Sequence, residues 1–259
     1  MADPRPLDPS VCKRADLLDL GAGTGRRIRA EAKQFASKHP IGIDRNARKV
    51  ARAQERGLPV YCADFTALDP ADFPAARVVV FDNVLEHLPS VEAVEVALGR
   101  ACEIASDVVY IRHPSFEDEN YLTSLGLKQY WTDWPGTHTA KIRLDDFRAM
   151  ATRRGIDAVE VRAVKRARNS DDATILPLAA PSNQHKQADE RGEYGLYDAA
   201  LHGPKPTVAF DRPVYFAFDL FFFVGDAPPE IRYDDDPEDT LARPFVQWSD
   251  RRRRRFFRS

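Results

Sequence analysis

The chain has few cysteines and no long apolar run. Its three cysteines, Cys12, Cys62 and Cys102, are widely spaced and odd in number, which speaks against a disulfide framework or a paired CxxC metal site. No stretch approaches the roughly 18 consecutive apolar residues of a spanning helix. The Pro-rich opening from Met1 to Pro9 lacks the apolar core and small-residue cleavage site of a signal peptide, so a cytoplasmic protein is expected. Net charge is nearly absent as well: 38 Lys and Arg stand against 40 Asp and Glu in 259 residues. With 43% hydrophobic residues, the chain is too apolar to be mainly disordered and long enough to bury a sizeable core.

Charge is instead segregated. Arg251 to Arg255 and Arg258 crowd the C-terminal end, after an acidic, Pro-interrupted stretch that includes Asp226, Glu230 and Asp234 to Asp236. Residues 226–259 read as an acidic linker and Arg-rich tail, expected to be solvated and poorly ordered. An Arg run attracts polyanions through charge alone, so a nucleic-acid contact by this tail is a secondary reading.

Up to about Ile111 short apolar runs alternate with helical patterns, the signature of a parallel sheet wrapped by helices. The runs predict strands at Asp16–Leu20, Ile41–Asp44, Val60–Ala63, Arg77–Phe81 and Asp107–Ile111. Helices are expected from about Arg26 to Ala36, from Asn46 as cap to Gly57 as stop, and after the cap residue Ser90. A short helix over Leu144–Arg154, stopped by Gly155, precedes a sixth strand at Ile156–Val164. Val214–Val224 is apolar on both alternating faces and fits an interior seventh strand. Seven strands account for residues 1–225 as one domain, interrupted by looser segments at 113–141 and 165–213.

The most informative segment is Leu17-Leu18-Asp19-Leu20-Gly21-Ala22-Gly23-Thr24-Gly25, a strand running into a glycine-rich turn and a helix. Glycines permit the tight turn and let a ligand approach the backbone. The spacing is GxGxG, and Arg26 stands where a dinucleotide fingerprint would have its third glycine.

In this segment the sequence resembles the class I S-adenosylmethionine-dependent methyltransferases, particularly their small-molecule, type 11-like branch. Three further segments carry the resemblance: Asp44 ending the second strand, Asp64-Phe65 after the third, and Asp82-Asn83-Val84-Leu85-Glu86-His87-Leu88 after the fourth. The resemblance implies a doubly wound, seven-stranded, mostly parallel Rossmann-like sheet with the last strand antiparallel. It implies S-adenosyl-L-methionine as cofactor, its ribose hydroxyls on Asp44, its adenine amino group on Asp64 and its ring under Phe65. Asp19, Gly21, Ala22, Gly23, Gly25, Arg45 and Asn83 complete the candidate cofactor site. Alternatives stay open: Asp19 either orients the loop or contacts the methionine moiety, Asp44 and Asp64 could serve as cap or turn residues, and Glu86 and His87 read as pocket wall rather than a catalytic pair.

The same segments exclude chemistries. No N-P-P-Y type motif follows the fourth strand, no cysteine follows a proline, and no clustered Asp, Asp and Asn set suggests catechol-type metal catalysis, so no metal is expected. Ligands of open α/β sheets lie at the carboxyl ends of the strands. The insertions 113–141 and 165–213 are therefore the expected acceptor side. His113 and His138 are the candidate bases, since imidazole titrates near neutral pH. Tyr130, Trp131 and Trp134 offer aromatic faces to an acceptor, or else pack the insertion down. The expected function is methyl transfer to a small-molecule acceptor, at a hydroxyl of a sugar-containing or secondary-metabolite substrate. The alternatives are a cofactor-binding scaffold with little catalysis, or a methyltransferase of nucleic acid or protein. Only about fifteen residues precede the first strand, so a lid has to come from the insertions or a partner, or be incomplete.

Overall fold

The computed structural model describes residues 5–132, 137–180, 204–226 and 231. Trp134 and the Arg-rich tail lie outside them. Five strands alternate with helices in the first half: β1 (Leu17–Leu20), β2 (Pro40–Asp44), β3 (Val60–Cys62), β4 (Val78–Asp82) and β5 (Val108–Pro114). The second half adds β6 (Leu127–Gln129), β7 (Val159–Asn169), β8 (Ile175–Pro177) and β9 (Ala209–Phe223). Seven of these form one sheet in the order β3-β2-β1-β4-β5-β9-β7, in which β9 runs antiparallel to both neighbours. This is the expected doubly wound sheet with one reversed strand, the last of the described strands.

Burial explains the order. Leu17, Leu18 and Leu20 of β1 and Val78 to Phe81 of β4 are wholly buried, as strands covered on both faces must be. Leu220 to Phe222 of β9 are buried as well, which fits its interior place between β5 and β7. Local chemistry sets the helix limits. The Asn46 side chain accepts from the Lys49 N–H at 3.2 Å to start α3 (Ala47–Glu55), as the third helix after α1 (Pro9–Cys12) and α2 (Ile28–Gln34). Ser90 likewise caps α4 (Val91–Ile104), accepting from Ala93 at 3.2 Å. The remaining helices are α5 (Glu119–Ser124) and α6 (Leu144–Arg153), the latter followed by Gly155 at φ 67°.

Two differences from the sequence reading bear on the site. Strands β7 and β9 extend beyond the expected Ile156–Val164 and Val214–Val224, pairing Ala167 with Val214 and Asn169 with Ala209. Arg166 and Arg168 flank Ala167, so only one face of this stretch is apolar and it reads as polar loop. That face closes a small separate core of Ala167, Val214, Leu122, Leu127 and Ile175. The two insertions also meet: β6 from the first pairs antiparallel with β8 from the second. At the other end the N-terminal segment lies along the sheet edge, with Pro6 bridged to Cys62 of β3 and Cys12 and Ala15 in the core.

Candidate functional site

At the carboxyl end of β1 the chain turns through Gly21 at φ 89° and Gly23 at φ 57°. Residues with a side chain rarely adopt such angles. A Cβ on Gly21 would stand 2.3 Å from Cγ2 of Val84, so the glycine lets the segment after β4 pack directly on the loop. At Gly23 a Cβ would be in ordinary contact with Asp44 Oδ2 and Lys49 Cδ, both at 3.9 Å, so the glycine is required by its backbone angle rather than by crowding. The Gly23 N–H donates to Asp44 Oδ2 at 2.8 Å and the Asn46 N–H to Asp44 Oδ1 at 2.7 Å. Both oxygens of Asp44 are thereby fixed at the mouth of the loop, and each keeps a second lone pair for a ligand. Ala22 holds the loop to β2, donating its N–H to the Ile43 carbonyl at 3.1 Å.

Beneath the loop lies an acidic cluster. Asp19 Oδ1 and both carboxylate oxygens of Glu31 are buried with no hydrogen-bond donor among the other described residues. Burial pushes the Asp19 carboxyl well above the usual range, and Glu31, Asp82 and Asp44 push it further. Burial, with repulsion from Asp82, raises Glu31 to about 7. Asp82 is raised by burial too, although Arg27 pairs with it at 2.8 Å. Arg112, the other nearby cation, is committed to Asp219 through two contacts of 2.7 Å. Asp219, a carboxylate among phenylalanines in the sequence, is thus satisfied by Arg112 and by the Tyr110 hydroxyl at 2.9 Å. Asp19 and Glu31 also hydrogen-bond each other, so the cluster holds protons that a nearby cation would drive off.

Around this centre, Asp64 is exposed and caps a short 3-10 turn, its Oδ1 accepting from the Thr66 N–H and hydroxyl at 2.9 and 2.8 Å. Phe65 beside it packs edge-on against Phe81 at 5.9 Å. Arg45 is exposed, and its charge helps hold Asp64 below the usual carboxylate range, after the bonds from Thr66. Asn83 takes φ 51°, donates its backbone N–H to the Arg112 carbonyl and its side chain to Asp82, closing the end of β4.

The histidines gather on the next strand ends. Three hydrogen bonds pin residues 137–140 against the turn Leu85–His87: His87 Nδ1 to the Thr137 carbonyl at 2.7 Å, the Ala140 N–H to the Glu86 carbonyl at 3.2 Å, and the Thr139 hydroxyl to the Leu88 carbonyl. His138 is thereby brought beside His87, ring centroids 5.0 Å apart. His138 Nδ1 bonds the Trp131 carbonyl at 2.9 Å. Glu86 is buried, and its Oε2 has no donor among the described residues. His113 is buried against Phe116 and Phe147, with Nδ1 on the Pro114 carbonyl at 2.8 Å, and burial pulls its pKa down to about 3. Trp131 is not an open platform: it is buried, its Nε1 donates to the Ser115 carbonyl at 3.0 Å, and its ring meets Phe216 at 4.6 Å. Tyr130 is half-buried against the Trp131 ring at 4.8 Å.

Residues 17–104 match the family described as a methyltransferase domain. Over that stretch the chain is similar to a methyltransferase domain. No curated protein matches it in sequence. Among solved structures, a SAM-dependent methyltransferase from Archaeoglobus fulgidus is 14% identical, with 83% of this chain and 88% of that one covered at a TM-score of 0.51; the likeness is one of fold. The magnesium protoporphyrin IX methyltransferase from Synechocystis with bound SAH is 18% identical, over 60% of this chain and 66% of that one, with a TM-score of 0.41. Its SAM-bound form is 16% identical, over 60% and 62%, with a TM-score of 0.40. The chain spans less than two thirds of the length of that protein in either form.

The donor set can be compared with what S-adenosylmethionine would ask for. S-adenosylmethionine carries a sulfonium and an ammonium group, and the Asp19 and Glu31 carboxyls, which share a hydrogen bond, could ionise beside them to give the complementary charge. The glycine turn at Gly23 and the fixed oxygens of Asp44 adjoin them. Sequence reasoning gave Glu31 and Arg27 no part in this cluster. The signal was there: Ile28, Glu31 and Phe35 share one buried helical face, on which an acidic residue is out of place. The meeting of Glu86 and His87 with His138 had no comparable signal, because it depends on how the first insertion folds back.

Proposed function

We propose that the protein transfers a methyl group from S-adenosylmethionine to a hydroxyl oxygen of a small-molecule acceptor, of sugar-containing or secondary-metabolite type. The observation that carries the reading is the buried Asp19 and Glu31 pair behind the glycine turn, two carboxyls that share a hydrogen bond, hold their protons without a ligand and would ionise beside a cationic cofactor. Asp44 would hold the ribose, and Asp64 through its remaining lone pairs, Phe65 and Arg45 the adenine side. When bound, the cofactor supplies a methyl group made electrophilic by its sulfonium, which leaves as a neutral thioether. The chain's own task is to orient the acceptor, exclude water and take up or release the hydroxyl proton. His138 and Tyr130, both half-buried, are the groups we assign to the acceptor side, with His113 as a buried neutral wall beside them. Trp131 anchors the insertion that carries them.

In the same reading the domain runs over residues 1–225, with 226–259 as linker and tail. Its three free cysteines are in keeping with a cytoplasmic setting. No helix among the described residues is long and apolar enough to cross a membrane. The test is calorimetry with S-adenosylmethionine, its demethylated product and NAD, followed by transfer of labelled methyl groups to acceptors in an extract. Binding of the first two, with transfer lost in Gly23→Asp, supports the reading. Binding of NAD without either of them overturns it.

A further inference from the structure

We propose that Glu86, His87 and His138 form a binding site for a divalent transition-metal ion, and that this ion would hold the acceptor hydroxyl. One donor atom from each residue lies within 4.8 Å of the others. This departs from the sequence expectation of no metal, which looked for an Asp, Asp and Asn set. Two imidazoles and one carboxylate make a three-residue set that leaves coordination positions open, as catalytic zinc and non-haem iron sites do.

The surroundings of each side chain suit a ligand. A histidine that binds a metal through one ring nitrogen typically donates the other N–H to a carbonyl, which fixes tautomer and orientation. His87 Nδ1 meets the Thr137 carbonyl at 2.7 Å and His138 Nδ1 meets the Trp131 carbonyl at 2.9 Å. A carbonyl only accepts, so both Nδ1 atoms carry the proton and Nε2 is the donor each ring has to offer. Glu86 is the second, independent pointer. It is 2% exposed, and its Oε2 is buried without a donor, so as a carboxylate it costs free energy that a bound cation would offset in place of a proton. Tetrahedral bonds of about 2.1 Å place donors about 3.4 Å apart, so small rotations of rings already held at Nδ1 would close the set.

The position also suits the reaction. Val84, two residues before Glu86, packs on Gly21 of the cofactor loop, so the cluster adjoins the cofactor cradle on the side of the first insertion. A metal there would act as a Lewis acid, lowering the pKa of a coordinated hydroxyl so that its proton passes to water. His138 is then a ligand rather than the base. The site stands on its own geometry, and only the role of the ion rests on the proposed function.

The test uses the full chain, dialysed against a chelator and titrated by calorimetry with Zn²⁺ alone and with Mn²⁺ alone. One ion per chain should bind, and His87→Gln and His138→Gln should each weaken it at least tenfold. His87 is exposed, so its variant should keep its thermal transition and separate ligation from folding. S-adenosylmethionine is titrated in parallel. Metal binding that survives in both variants, or no metal binding in protein that binds the cofactor, overturns the site. Metal binding lost in the variants without any cofactor binding supports the site while sinking the proposed function.

Discussion

Replacing Glu31 with glutamine should stabilise the cofactor-free protein at alkaline pH and leave it unchanged at acid pH. The Glu31 carboxyl ionises near 4.5 in an unfolded chain and near 7 in the fold, because burial and Asp82 oppose its charge. Below 4.5 the group is protonated in both states and costs nothing. Between 4.5 and about 7 the unfolded chain ionises first, so stability falls as pH rises, and above about 7 the full penalty remains. At 1.36 kcal/mol per unit that penalty is about 3 kcal/mol. Glutamine keeps the shape, has no charge to desolvate, and its amide can donate to Asp19. Urea denaturation of both proteins at pH 5, 6, 7 and 8 should therefore show a stability difference that opens by about 2–3 kcal/mol over this range, to the advantage of Glu31→Gln. Cofactor affinity should move the opposite way: in the unmodified protein it should rise through the same window as the carboxylates ionise, and in the variant the rise should flatten. Parallel pH profiles for the two proteins, in both stability and affinity, would refute the account of the acidic cluster.

Two further changes separate the parts of the cradle. Asp44→Ala should weaken binding of S-adenosylmethionine about tenfold or more by calorimetry, since it removes the acceptor for two backbone N–H groups as well as the proposed ribose contacts; unchanged affinity would take Asp44 out of the site. Gly21→Ala puts a methyl 2.3 Å from Val84 at a φ of 89°, and chemical denaturation should show a loss of about 2–4 kcal/mol. A loss below about 0.5 kcal/mol would mean that the segment after β4 does not rest on the glycine loop.

The part of the fold legible in the sequence is the part whose signals are local. Asn46 and Gly57 mark their helix because one caps through its own side chain and the other sits at φ 70° past its end. The strand Val214–Val224 reads as interior because both its faces are apolar, and it lies between two neighbours. The extensions to Asn169 and Ala209 were hidden because one face there packs on residues from the insertions, and no local pattern announces a second small core. The same division runs through the site. Gly23 and Asp44 sit at one turn and one strand end, and the Gly23 N–H donates to Asp44. Trp131 looked like a binding face, but its ring and N–H are absorbed by Phe216 and Ser115, which lie far from it in sequence.

On the proposed function and metal site, the segment Asp82 to Leu88 would serve both from one position. At its start Asp82 joins the buried acids below the cofactor loop, and Val84 seals Gly21. At its end Glu86 and His87 meet the first insertion through Thr137 and Ala140. Leu85 and Leu88, buried in the main core between these groups, fix the spacing of the two ends. Cofactor and acceptor would therefore be registered against each other by one short turn rather than by separate elements. In a reaction that needs an oxygen in line with a carbon–sulfur bond, such a shared support passes a displacement of either ligand directly to the other. A cation on Glu86 and His87 would extend that register to the acceptor oxygen itself, since the residues that would hold it belong to the same turn that packs on the cofactor loop.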